Sequence, residues 1–301
     1  MTDRGTGSAL AATRTTAPAP ELTGRAAPWL APWVTGPTRS LTPLDGRTGS
    51  HAYFRLVGTS QVVVLEGPAG LRLPIAIALT RLAFARATAG RQVKLGDNCL
   101  WVDDHPVTVF CAGDEPPHFG ADVATTQRAQ IVLSVLMAAL PRPEAPPAVW
   151  QAVARFAAAL ETGDDVVTAA ADLVGLGPGS TPAGDDVLAA ATATLTAVPS
   201  SSRIEHRLTR LRAAIADCLD RTTSVSGALL EAAAEGHMIP RLAHCLERLV
   251  LGKPAGAAVH ALCGVGHSSG HFLAIGGSLG LSAAAGAPSG ALCKSAMAIA
   301  R

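Results

Sequence analysis

Residues 175–186 read Gly-Leu-Gly-Pro-Gly-Ser-Thr-Pro-Ala-Gly-Asp-Asp, an order that few backbone paths accommodate. Four glycines within ten positions permit tight turns and close approach of the main chain to a ligand. Thr181 before Pro182 predicts a helix start, with a hydroxyl at the N-cap and proline at the first helical position. The apolar run Val187–Val198 then supplies the helix. Such a loop presents N–H groups and the positive end of a helix dipole, which suits a phosphate or a carboxylate. Asp185 and Asp186 fall in the first turn; they complement the dipole but repel an anion unless a proton or a cation intervenes. The expectation is therefore a polar site with both signs of charge.

Nucleotide-binding readings of the run are weak. No β-prone segment leads into it, as a Rossmann fingerprint requires, and the Lys-Ser/Thr of a Walker loop is absent. The 301 residues carry 24 basic and 23 acidic side chains, without a basic patch interleaved with aromatics, so nucleic-acid binding has little support. No apolar stretch reaches the roughly 18 residues of a membrane span. Six scattered cysteines without a Cys-x-x-Cys spacing, and an N-terminus without a hydrophobic leader, point to reduced thiols in a cytoplasmic protein.

The chain length suits one large domain or two modest ones. Residues 1–45 are rich in Thr, Ala and Pro and read as a flexible tail, with Trp29 and Trp33 available to tack its end onto the body. Between 46 and 121 short β-prone runs at 51–57, 61–66, 71–78, 91–95, 99–103 and 106–112 alternate with turn residues such as Gly96-Asp97-Asn98. They suggest a small antiparallel β unit, a barrel or half-barrel, with a helical stretch near 78–89. From 122 onward the pattern is helical. Ile204, Leu208, Leu211, Ile215 and Leu219 share one face opposite arginines, and Met238, Leu242, Cys245 and Leu249 repeat the arrangement. Further helices are expected at about 125–140, 147–162, 164–174, 182–197, 222–235, 254–263 and 269–282. The fold class expected is α+β: a small antiparallel β unit followed by a larger all-helical domain.

Two more loops repeat the grammar of the first. Asp220-Arg221-Thr222-Thr223-Ser224-Val225-Ser226-Gly227 and Gly264-Val265-Gly266-His267-Ser268-Ser269-Gly270-His271 each place hydroxyl residues ahead of a helix. Three such starts in one helical domain invite a convergent site. Each residue also has a plainer reading. Thr181, Thr222, Thr223 or Ser226 can simply cap a helix. His267 and His271, spaced i and i+4, can hold a metal only if both lie on a helix. Cys263 is a nucleophile only if it is not a small buried thiol.

At these three loops the chain resembles the family that includes AllH, a subunit of the oxamate carbamoyltransferase of anaerobic allantoin breakdown. The resemblance rests on Gly175–Asp186, Thr222–Ser226 and Gly266–Gly270 and extends over roughly residues 45–290. Ser180, Ala183 and His271-Phe272 depart from the residues usual in the family. The resemblance implies carbamoyl transfer, with oxalurate and phosphate exchanging with oxamate and carbamoyl phosphate, and it implies partner subunits. In this reading the N–H groups of Gly177, Gly179 and Gly184, with Ser180, Thr181, Arg221, Thr222 and Thr223, hold phosphate or carboxylate. Asp185 and Asp186 accept the ureido N–H groups, with Asp185, on the face of Thr181, the first candidate of the two. His267, Ser268 and Ser269 stabilise an oxyanion or relay a proton. Two alternatives stand beside this reading: a metal-dependent hydrolase with a divalent cation at the Asp pair and His267 and His271, and a non-catalytic subunit that binds a metabolite.

Overall fold

The computed structural model describes residues 22–46, 49–111 and 115–286. Its first half is organised by strand pleat. In β3 (His51–Leu56) Ala52, Phe54 and Leu56 point inward and are buried, while Tyr53 and Arg55 point outward. In β4 (Val62–Glu66) every residue is buried, because the strand is covered on both sides. Val63 and Leu65 enter the core of the strand unit, and Val62 and Val64 pack outward against helix residues Val225, Ala228 and Ala232. Two hairpin turns follow local chemistry. Asp97-Asn98 and Asp103-Asp104 all adopt positive φ, as two-residue hairpins require, and they link β6 (Val93–Gly96), β7 (Cys99–Val102) and β8 (His105–Cys111).

The strands close into an eight-stranded barrel in the order β1-β5-β4-β3-β2-β6-β7-β8, with β1 (Thr23–Ala26), β2 (Arg39–Pro43) and β5 (Ala76–Leu79) as the remaining members. This corrects the expected small antiparallel unit. The barrel is mixed, since β4 pairs parallel with β5 and β1 pairs parallel with β8. It also draws two strands from the stretch read as tail. β1 is four residues long and contains Gly24 and Arg25, so it carries no alternating apolar signal. Gly24 leaves room for a neighbour, since a Cβ there would lie 2.6 Å from the Leu79 side chain and force it to move. Trp29 and Trp33, with rings 6.0 Å apart, pack against this core. Helix α1 (Ala31–Thr35) joins β1 to β2, and α2 (Arg81–Ala89), capped by Thr80, joins β5 to β6.

The second half comprises α3 (Val123–Ala138), α4 (Pro147–Thr162), α5 (Val166–Ala171), α6 (Ala183–Ala197), α7 (Ser202–Cys218), α8 (Ser224–Ala234), α9 (Pro240–Val250), α10 (Gly256–Cys263) and α11 (Ser269–Ala285). At its centre α6 is buried almost all round and lies against α11 at backbone contact: a Cβ on Gly276 would come within 2.2 Å of the Val187 carbonyl. Amphipathic α7 buries Ile204, Leu208, Leu211 and Ile215. Its one buried arginine, Arg207, donates to the carbonyls of Ala283 (2.9 Å) and Glu161 (3.1 Å), tying it to the ends of α11 and α4. Helix α8 packs against β4, and the α6 start and β3 line one cavity through Asp185, Asp186, His51 and Tyr53. Among the described residues no helix is long and apolar enough to cross a membrane.

Candidate functional site

The glycine-rich run folds back upon its own helix. Gly175, Gly177 and Gly179 adopt φ of +74°, +124° and +97°, and two of them have backbone pressed close. A Cβ on Gly175 would meet the Arg221 carbonyl at 2.2 Å, and one on Gly177 the Ala183 nitrogen at 2.9 Å. The N–H of Gly184 donates to the Leu176 carbonyl at 2.9 Å. The helix start is thus covered by its own loop rather than held open as an anion cradle. Pro182, not Thr181, occupies the N-cap, and no side chain caps the helix. Thr181 instead places its hydroxyl 3.2 Å from that of Ser269 at the start of α11.

The two aspartates differ in circumstance. Asp185 is 1% exposed and accepts from the Gly175 amide (2.8 Å), the Ser226 hydroxyl (2.7 Å) and the Thr222 hydroxyl. It holds the first and second loops together. Asp186 is 8% exposed; one of its oxygens, Oδ2, has no hydrogen-bond partner. Burial pushes its carboxyl up to about 8; a hydrogen bond from Ser269 opposes the rise and the charge of Asp185 adds to it. Near neutral pH Asp186 is therefore largely a carboxylic acid, able to donate as well as accept.

Both aspartates line a cavity of about 170 Å³ between barrel and helices, together with Ser180, Thr181, Ser226 and Ser269. That volume is several waters' worth and fits a small metabolite. The floor is apolar, from Leu229, Leu230, Leu242 and Leu273 of the helices. The barrel side contributes His51, Tyr53, Leu71, Leu73 and Pro74, none of which was singled out from the sequence. Glu66 organises that wall. Fully buried at the end of β4, it accepts from the amides of Arg72 (2.8 Å) and Leu73 (3.0 Å) and lies 3.4 Å from His51 Nε2. Burial and the nearby Glu66 charge raise the pKa of Tyr53, whose ring stacks on His51. His237, also in the lining, packs edge-on against Trp29, and burial lowers its pKa.

The three loops do meet, but only part of the expected residue set faces the cavity. Thr223 caps α8 through the Ser226 amide (3.1 Å) and donates to the Ser180 carbonyl (2.6 Å). Thr222 is spent on Asp185. Gly184 packs against the Leu173 carbonyl, where a Cβ would sit 2.1 Å away. Arg221 is exposed and points to the Cys218 sulfur at 3.6 Å, outside the cavity. His267 is exposed, and neither it nor Ser268 lines the cavity. His267 precedes α11, so His267 and His271 do not form a helical ligand pair. Among the described residues no three His, Cys, Asp or Glu side chains are grouped to hold a metal ion. Cys263 is buried, and burial pushes its thiol up to about 11, which leaves little thiolate for nucleophilic work.

No curated protein and no solved structure matches the chain. A family model does: it begins two residues before Gly175, takes in all three loops and ends within α11. The model is that of the oxamate carbamoyltransferase subunit AllH, and residues 173–281 of this chain match it.

Proposed function

We propose that the chain serves as a subunit of a carbamoyltransferase and that the cavity between barrel and helices receives the carbamoyl-bearing small molecule. The observation that carries this reading is Asp186, a buried carboxyl with one unpartnered oxygen in a cavity that the family-matched loops line on the helical side. A buried polar atom without a partner is costly unless a ligand supplies one.

The chemistry follows from the atoms present. A protonated Asp186 donates its O–H to the carbonyl oxygen of a ureido group and accepts an N–H from the adjacent nitrogen. Donation to the carbonyl favours attack at the carbamoyl carbon, because negative charge grows on that oxygen as the nucleophile adds. With phosphate as nucleophile, the new bond is C–O. The bond broken is from the carbamoyl carbon to the oxamate nitrogen, which leaves as an amide after gaining the proton that the attacking hydrogen phosphate gives up. Asp185 positions: its three hydrogen bonds fix the loops around Asp186. The apolar floor and the Glu66-held wall exclude water that would hydrolyse a carbamoyl group.

Isothermal titration of the purified chain with oxalurate and oxamate tests the reading. Heat of binding is expected with at least one, and Asp186→Ala is expected to abolish it while the circular dichroism spectrum is retained. Absence of binding to both, or binding undiminished in the folded variant, overturns it.

A further inference from the structure

The cavity has an electrostatic peculiarity: none of its lining residues is a lysine or an arginine, although the chain has 24 of them. Arg55 donates to the Ser224 hydroxyl at 2.6 Å, and Arg221 is turned to Cys218. The titratable groups that do face the cavity are Asp185, Asp186, His51, Tyr53 and His237. A positive charge on His51 is already answered by Glu66 at 3.4 Å, and His237 is held toward its neutral form by burial. A phosphate dianion placed here would lose its hydration, meet no cation and face the Asp185 carboxylate.

Resting on the proposed function only for the location of the site, we infer that the cavity takes an uncharged hydrogen-bonding end group, a primary amide or a urea on a short apolar body. Phosphate, and the carboxylate end of a ligand such as oxalurate, stay at the mouth, beyond a lining that holds no lysine or arginine. An amide or urea sets one N–H beside one C=O, and the Asp186 carboxylic acid sets one C=O beside one O–H. The two match as a ring of two hydrogen bonds with no net charge carried into an apolar pocket. The leucine floor covers the rest of such a ligand.

The test is a titration of the full chain near neutral pH with n-butylurea, inorganic phosphate and acetyl phosphate, with oxalurate run alongside. Butylurea is expected to bind at least about tenfold more tightly than either phosphate compound. Asp186→Ala is expected to weaken butylurea by about tenfold or more. Displacement of butylurea from the unaltered protein by butyramide, and not by inorganic phosphate, supplies the same answer without a variant. Phosphate or acetyl phosphate binding as tightly as butylurea, or failure of butylurea to bind, overturns the inference. If butylurea binds through Asp186 and oxalurate does not, the inference stands and the carbamoyl reading falls. If oxalurate binds and butylurea does not, the outcome is the reverse.

Discussion

The amide of Gly175 donates to the carboxylate of Asp185 across 2.8 Å, joining the first glycine of the motif to its first aspartate. The run is thereby closed on itself, and Asp185 becomes a structural tie for two loops. Asp185→Ala strands the Gly175 amide and the Thr222 and Ser226 hydroxyls together. Hydrogen bonds to a charged acceptor are worth about 1.5–3 kcal/mol each and are not additive when they share that acceptor. A loss on the order of 3–5 kcal/mol is expected, read as a lower midpoint in urea denaturation.

Asp186 makes stability depend on pH in the sense opposite to that of a salt-bridged acid. Its folded carboxyl titrates at about 8 and its ordinary value is 3.8, so folding takes up a proton between the two. This contribution is fully present at acid pH and is lost as pH rises from about 4 to about 8. Asp186→Asn is uncharged throughout and removes the slope. The difference between the two stability curves reports Asp186 together with its coupling to the neighbouring Asp185 charge. Above pH 8 the variant should be the more stable, by an amount on the order of a few kcal/mol.

Two glycines of the motif should respond very differently to the same change. At Gly184 a methyl would lie 2.1 Å from the Leu173 carbonyl, inside packed backbone. Gly184→Ala is expected to cost about 4 kcal/mol or more, the range reserved for overpacked cores. Gly179 has φ of +97° with open space around it, so Gly179→Ala suffers backbone strain alone, about 1–2 kcal/mol. Melting temperatures of the two variants under one buffer decide the point.

Arg221 and His267 lie outside the cavity, so Arg221→Ala and His267→Ala should change oxalurate affinity by less than about twofold. Titration of either variant showing a loss as large as that of Asp186→Ala would contradict the described geometry.

Glu66 should matter to ligand binding without touching the ligand. Glu66→Ala frees the Arg72 and Leu73 amides and loosens the Leu71–Pro74 wall. Hydrogen exchange in residues 67–75 should accelerate, and ligand affinity should fall with it, while the β-sheet signal persists.

The sequence made the helices readable because their apolar periods are long. The 147–162 expectation coincides with α4, and the buried face of α7 is the one its leucines and isoleucines mark. Barrel closure was hidden, because β1 is four residues of Thr-Gly-Arg-Ala and its partners lie some 50 to 85 positions away. Pairing at that range has no local signature. The glycine-rich run marks the aspartate pair, but the four-residue spacing from Thr181 favours Asp185, whose oxygens are occupied, over Asp186, which has one free. The barrel wall of the cavity, with His51, Tyr53 and Glu66, was illegible for the same reason as the barrel itself.

The strand β4 is buried on both faces, one toward the barrel and one toward α8. Separating the halves would bare Val62 and Val64 on one fragment and Val225, Ala228 and Ala232 on the other. The segment that carries the family motifs is therefore not a portable module. Excised at residue 173, it would lose the floor-to-wall opposition that makes a container, and with it any means of telling one small molecule from another.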